Sequence, residues 1–353
     1  MGMPSIDIIF TVAAQTAIAR SEKGVVAVIV KDAASNGPLG AMTTKLQIPE
    51  GLTAANQGYL QRAFLGYVKP TQKVIGYVLP EEAENLTEAL DWLATQQFDY
   101  LAGPPEITPE ECSAVKDWIV TQREENHAIF KAVLPNTEAD HEAIINFTTD
   151  GIKVGEDTFD AAAYCSRMAG MLAGTPMTYS CTYAPLTEVE DVTRLTQWDM
   201  DAAVDAGKFL LFFDDMVKTG RAVNSLTTIV GKSKAYQKIK IVEIMDMIQS
   251  DLRRAFRDNY IGKYANSYDN KMLLRTAVTN YFTTLARDEL IQPGFTVGID
   301  VEAQTAWLDQ NGVDTSNMTT EQIEQANTGS EVFLYAAIHP LDSIEDIKVT
   351  ITV

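Results

Sequence analysis

The side chains able to do acid–base, metal or nucleophilic chemistry are few in this chain and poorly grouped. There are three histidines, His127, His141 and His339, and three cysteines, Cys112, Cys165 and Cys181, with no C-x-x-C among them. His141 stands in the triplet Asp140, His141, Glu142, but no second His or Cys lies at helical or hairpin ligand spacing. The triplet therefore reads as a solvated acidic turn, and no metal site is expected. His339 precedes Pro340, which biases it to extended backbone and a structural part. The cysteines read as small buried hydrophobes, reduced thiols of a chain made in a cytoplasm. Gly231, Lys232 and Ser233 spell the end of a phosphate-binding loop, yet Leu226 stands where that loop needs a glycine, so a surface turn is expected. No G-x-G-x-x-G follows a strand and no G-x-S-x-G elbow occurs, so no nucleotide or other cofactor is expected. Asp214 and Asp215 end an apolar strand, a place where α/β enzymes put catalytic acids. Neighbouring strand residues face opposite ways, which makes them a poor dyad. An α/β enzyme using acidic residues near Asp214 is the alternative function.

The elements that would position such groups alternate between strand and helix. Gly24 to Val30 and Val74 to Leu79 are short β-branched runs of the kind buried strands show, and Asp32 to Gly40 is turn-rich. A helix with Leu86, Ala89, Leu90 and Leu93 at helical spacing follows, then a strand at Phe98 to Ala102. Thr108, Pro109 and Glu111 make a capping box with proline at the first helical position. Strands at Ala128 to Leu134 and Ala143 to Phe147 and a small-residue helix from about Thr158 to Leu172 complete an α/β layer. Beyond Pro185 the pattern predicts a helix at Asp199 to Ala206 and strands at Phe209 to Phe213 and Arg221 to Ile229. Two long helices follow, one with the stripe Ile241, Met245, Ile248, Leu252, Phe256 and one with Leu274, Val278, Tyr281, Leu285. Strands at Phe295 to Val301 and Val332 to Ile338 flank a short helix from Thr319 to Asn327.

Composition excludes several classes. At 353 residues, two or three domains with a sizeable core are expected, and a net charge of −20 argues against a general nucleic-acid binder. No run of 18 apolar residues and no basic-then-apolar leader occurs, so neither membrane insertion nor a secretory signal is expected. Charge is uneven: residues 80–160 carry 19 acidic and 4 basic side chains, residues 207–275 carry 13 basic and 7 acidic. Such a split suggests two domains in different surroundings.

Both ends read as strands. Ile6, Ile8, Phe10 and Val12 alternate with polar or second-face residues after Pro4, and Val349, Ile351 and Val353 alternate with Lys348, Thr350 and Thr352 up to the last residue. Chain ends fray unless tied down, so each strand needs an edge in its own sheet or in another subunit's.

Several segments together resemble a known family. The block IDIIF, then Ala19 to Asp32, GRAVNSLTT from Gly220, the helix from Lys238 to Asn266 and the closing His339 to Val353 are similar to contractile tail sheath proteins of phages and tailocins, most of all the short sheath type of Gram-positive bacteria. The resemblance covers residues 1–32 and 207–353. It implies the following organisation: an N-terminal arm (1–20), an α/β outer domain (21–184), an inner α+β sheath domain (185–339) and a C-terminal strand arm (340–353), α/β in class and α+β over the whole chain. It further implies stacked six-membered rings round an inner tail tube, with baseplate and terminator proteins as partners, in a virion or tailocin particle that contracts to drive the tube through a cell envelope. Ser5 to Val12 and Ile347 to Val353 would be donated to neighbours, and Phe295 to Val301 and Val332 to Ile338 would receive them. The second long helix, Asp269 to Leu290, matches the tube-attachment helix, and Lys271 and Arg275, at i and i+4 on one face, would contact the tube.

Overall fold

The computed structural model describes residue 18 and residues 23–34, 36–231 and 233–352. They form two compact units, one of residues 23–246 and 342–352, the other of residues 247–341. The N-terminal strand expected at Ile6 to Val12 lies outside the described residues, as does Val353.

In chain order the first unit runs β1 (Val25–Lys31), β2 (Gly37–Met42), α1 (Ala54–Ala63), β3 (Lys73–Leu79), α2 (Thr87–Leu93), β4 (Tyr100–Ala102), α3 (Pro109–Glu124), β5 (Lys131–Pro135) and β6 (Ile144–Phe147). It continues with the hairpin β7 (Ile152–Val154) and β8 (Asp157–Phe159), then α4 (Ala161–Ala173), α5 (Gln197–Asp205), β9 (Lys208–Phe209), the hairpin β10 (Leu211–Phe213) and β11 (Val217–Thr219), and the start of α6 (Ile239–Asn259). Seven strands make one sheet in the order β2-β3-β1-β4-β5-β6-β9, all parallel except β2, which lies antiparallel on the β3 edge. Because successive strand residues face opposite sides, Val26, Val28 and Val30 join α1 and α4 in one core, and Ala27 and Ile29 join α2 and α3 in the other. The close fit of α4 on α1 depends on Gly170, where a methyl group would come within 2.4 Å of the Ala63 carbonyl oxygen.

The division expected at Pro185 is not where the chain divides. Pro185 bridges Lys218, and β9 extends the main sheet by pairing with β6, so residues 185–246 belong to the α/β unit. The boundary falls inside α6, between Asp246 and Met247. On the α/β side, two α6 carboxylates are buried among cations. Asp246 takes both terminal nitrogens of Arg123, at 3.1 and 2.7 Å, and the Lys131 ammonium at 3.0 Å. Glu243 pairs with Lys23 and accepts the Tyr100 hydroxyl.

The strand expected at Arg221 to Ile229 is absent. Asn224 and Ser225 are buried, the Asn224 side chain bonds Tyr236 O and Leu226 N, and Ser225 N bonds Ile144 O, so these residues take non-ladder partners.

The second unit contains the rest of α6, α7 (Tyr268–Arg287), β12 (Thr296–Ile299), α8 (Val301–Gln310), α9 (Thr320–Gln325) and β13 (Leu334–Ala337). Helix α7 is capped by Ser267, α8 by Asp300 and α9 by Thr319 with Gln322 in a capping box. Val278, Phe282 and Leu285 of α7 are buried, and Tyr281 donates from its hydroxyl to Asp251 at 2.8 Å. Strands β12 and β13 pair antiparallel as a two-stranded sheet, Val297 opposite Ala336 and Gly298 opposite Tyr335.

Candidate assembly site

The enzymatic candidates dissolve into local structure. Asp214 and Asp215 sit in the turn of the β10–β11 hairpin, and Lys218 pairs with both, at 3.3 and 2.5 Å. The Lys218 hydrogen bond holds the Asp215 carboxyl below its ordinary value. Asp140 accepts from the backbone amides of Thr227 and Thr228, both at 2.7 Å, and from the Thr227 hydroxyl. His141 Nδ1 accepts from Ala143 N at 3.1 Å, so the triplet pins this loop to the 225–228 segment. Gly231 turns with φ of 71°, and Ser233 opens a short helical turn; Lys232 lies outside the described residues. All three cysteines are buried, and burial pushes the Cys165 and Cys181 thiols up. At the carboxyl end of β1, where doubly wound sheets often bind ligands, Asp32 is saturated by Thr53 N, Thr53 Oγ1, Asn56 Nδ2 and Ala34 N.

Two features remain that suit assembly. Residues 347–352 form no ladder among the described residues, although Ile347, Val349 and Ile351 are 76%, 75% and 80% exposed. An exposed run of alternating β-branched side chains is the kind of segment that gains most from a partner surface. The second unit contains the two-stranded sheet β12–β13. A two-stranded sheet is the smallest ladder there is and is marginal alone. In β13, Tyr335 and Ala336 are exposed, whereas the Val297 carbonyl of β12 already accepts from Arg275 Nε at 2.9 Å.

Lys271 and Arg275, expected side by side as solvent-facing cations, part company. Arg275 is exposed and braces α7 against β12. Lys271 is only 3% exposed, and its ammonium donates to Ala326 O at 3.1 Å and Gln304 Oε1 at 3.4 Å. Burial lowers its pKa, and its charge lies against the carboxyl end of α9, where cations are favoured. The correction has a simple cause: helical spacing gives the face a residue shares, not the elements that cover it, and the α9 carbonyl end covers the first turn of α7.

Comparisons with known proteins agree with an assembly role. The phage tail sheath C-terminal domain family matches residues 231–353. The tail sheath protein of Clostridium phage phiCD119 is 37% identical over 358 aligned residues, covering 99% of either chain. Protein XkdK of the Bacillus subtilis phage-like element PBSX is 29% identical over 57% of this chain and 46% of its own length. Among solved structures, a sheath tail protein from Desulfitobacterium hafniense superposes with a TM-score of 0.68 at 16% identity, over 96% of this chain and 100% of that one. The helical sheath of the anti-feeding prophage in its contracted state superposes with a TM-score of 0.71 at 13% identity, over 100% of this chain and 99% of that one.

Proposed function

The chain belongs to the phage tail sheath family, a structural subunit of a phage or phage-like contractile tail and not an enzyme, and from that premise we propose how it assembles and moves. The subunit polymerises with its own copies as stacked six-membered rings around an inner tail tube, seated on a baseplate and closed by a terminator. Residues 347–353 of one copy add to the β12–β13 sheet of another, with β13 the receiving edge. The observation that carries this reading is that residues 347–352 are exposed and form no ladder among the described residues, while β12 and β13 pair only with each other there. A strand of about six residues making about four ladder bonds contributes a few kcal/mol net, before its apolar face is buried. Repeated at every subunit, that links the sheath into a mesh.

Contraction is then a rigid-body rotation and outward shift of subunits from a metastable extended packing into one with more contact, the donated strands keeping neighbours joined. The energy is stored in the packing, so no bound nucleotide is required. The acidic α/β unit faces outward, where its charge favours solubility. Arg275, exposed on α7, contacts acidic groups of the tube in a partly hydrated pair weak enough to release on contraction. Electron microscopy of the assembled full chain and of a chain lacking residues 347–353 tests the reading. Striated tubes are expected from the full chain only; tubes of normal length from the truncated chain would defeat it.

A further inference from the structure

The root of the C-terminal arm, residues 342–346, is gripped almost wholly by polar groups of the α/β unit. Glu345 has a side chain only 6% exposed; it pairs with Lys238 and accepts the Thr182 hydroxyl at 2.6 Å. Arg221 bridges two arm carboxylates, with Nε 3.5 Å from Glu345 and a terminal nitrogen 2.5 Å from Asp346. Asp342 lies 3.6 Å from the Lys238 ammonium, and Lys240 donates to Ser343 Oγ at 3.2 Å. The apolar residue in this stretch takes no part: Ile344 is 87% exposed, beside a cleft of about 800 Å³ walled by Tyr183, Val204, Phe212 and the arm root itself. One residue past the last ion pair the arm changes character, and Ile347, Val349 and Ile351 stand in solvent.

We propose that Lys238, Arg221 and Thr182, closing on Glu345 and Asp346, form a polar latch that fixes the direction in which the arm leaves the subunit. Apolar packing tolerates sliding, whereas charge-assisted bonds to a buried carboxylate hold one geometry. Ordering the root before association removes part of the entropy that strand pairing must otherwise overcome, so the arm meets its receiving edge extended and in one register. The pairs differ in exposure, Asp346 being open to solvent and Glu345 buried, so salt loosens the outer pair first. Lys238, Arg221 and Thr182 are thus positioning residues for assembly. The consequence for assembly rests on strand donation; the latch belongs to the single subunit.

The test is arm geometry in the full chain. All three native cysteines are buried, so Ile347→Cys with Asp117→Cys on α3 takes a pair of spin labels selectively. Labelled chain is diluted into excess unlabelled chain, and the label-to-label distance distribution is measured by pulsed dipolar spectroscopy. A narrow distribution is expected with the latch intact. Glu345→Gln, and separately Arg221→Gln with Asp346→Asn, should broaden it about twofold, while Glu345→Asp keeps the charge and most of the narrowing. These variants should leave the subunit folded, with Glu345→Gln lowering its melting temperature by a few degrees because Lys238 loses a buried partner, and should slow polymerisation about tenfold, since the root must then be ordered during association. A distribution already broad in the unaltered chain, or one equally narrow in Glu345→Gln, would overturn the latch. Normal polymerisation of a chain lacking residues 347–353 would instead overturn donation and leave the latch standing, so the two failures are distinct.

Discussion

Asp246 illustrates how single residues hold the α/β unit together. Burial alone would raise its pKa, but Lys131 and Arg123 outweigh burial and hold the carboxyl charged, below its ordinary value. Replacing it with asparagine strands two buried cations, so Asp246→Asn should destabilise the chain by about 3–5 kcal/mol in denaturant unfolding, far more than any surface ion pair. Asp32 makes a pH-dependent contribution. Burial pushes its carboxyl up, but hydrogen bonds from Asn56, Thr53 and Ala34 prevail and bring it down to about 2 from 3.8. A depressed carboxylate contributes stability above its unfolded value and loses it as pH falls through its folded value. The stability difference between the native chain and Asp32→Asn should therefore be constant near neutrality and shrink as pH falls below about 4 toward 2; a difference that does not change with pH over that window would contradict the assignment. Lys271 marks the limit of residue-by-residue reading. Its identity and spacing are in the sequence, but its burial depends on Gln304 and Ala326, more than thirty residues away in chain order.

The elements were legible where a local signal fixed them. The Thr108 capping box starts α3 with its proline at the expected place, and the β-branched runs became β1 and β3. Helix α8 begins where the sequence pattern predicts strand through Val301: Asp300 caps it and Gln304 and Leu308 are buried at i, i+4, a signal too short to outweigh the β-branched run before it. Strand β2 lay hidden in a turn-rich stretch, since Gly37 and Gly40 break its alternation with φ of 107° and 73°. Helix contact offers a prediction at this scale. Gly170→Ala would normally favour a helix, yet here the methyl group meets the Ala63 carbonyl, so it should destabilise by about 1–3 kcal/mol; a raised melting temperature would show that α1 and α4 can part without loss. Helix α7 supplies another. Arg275→Glu reverses an exposed charge, so the subunit should fold and polymerise with itself while co-assembly with the tube fails in a pull-down at low salt. Unimpaired co-assembly would remove α7 from the tube contact.

For the whole molecule, the α/β class was readable, since periodicity survives without tertiary context. The division into units was not, because residues 185–246 read as a separate run of helix and strand, whereas β9 enters the main sheet through only two residues. Nor does a sequence show which of its strands lacks a partner within its own chain. The proposed assembly turns on that property: residues 347–352 are exposed and form no ladder among the described residues, while β12 and β13 pair as a two-stranded sheet. The most direct measurement is a cryo-electron microscopy reconstruction of the assembled sheath at a resolution that traces the main chain. Strand donation predicts residues 347–352 as a strand hydrogen-bonded to the β12–β13 sheet of a different subunit. Finding that segment folded onto its own subunit, or that sheet still two-stranded in the assembly, would contradict it.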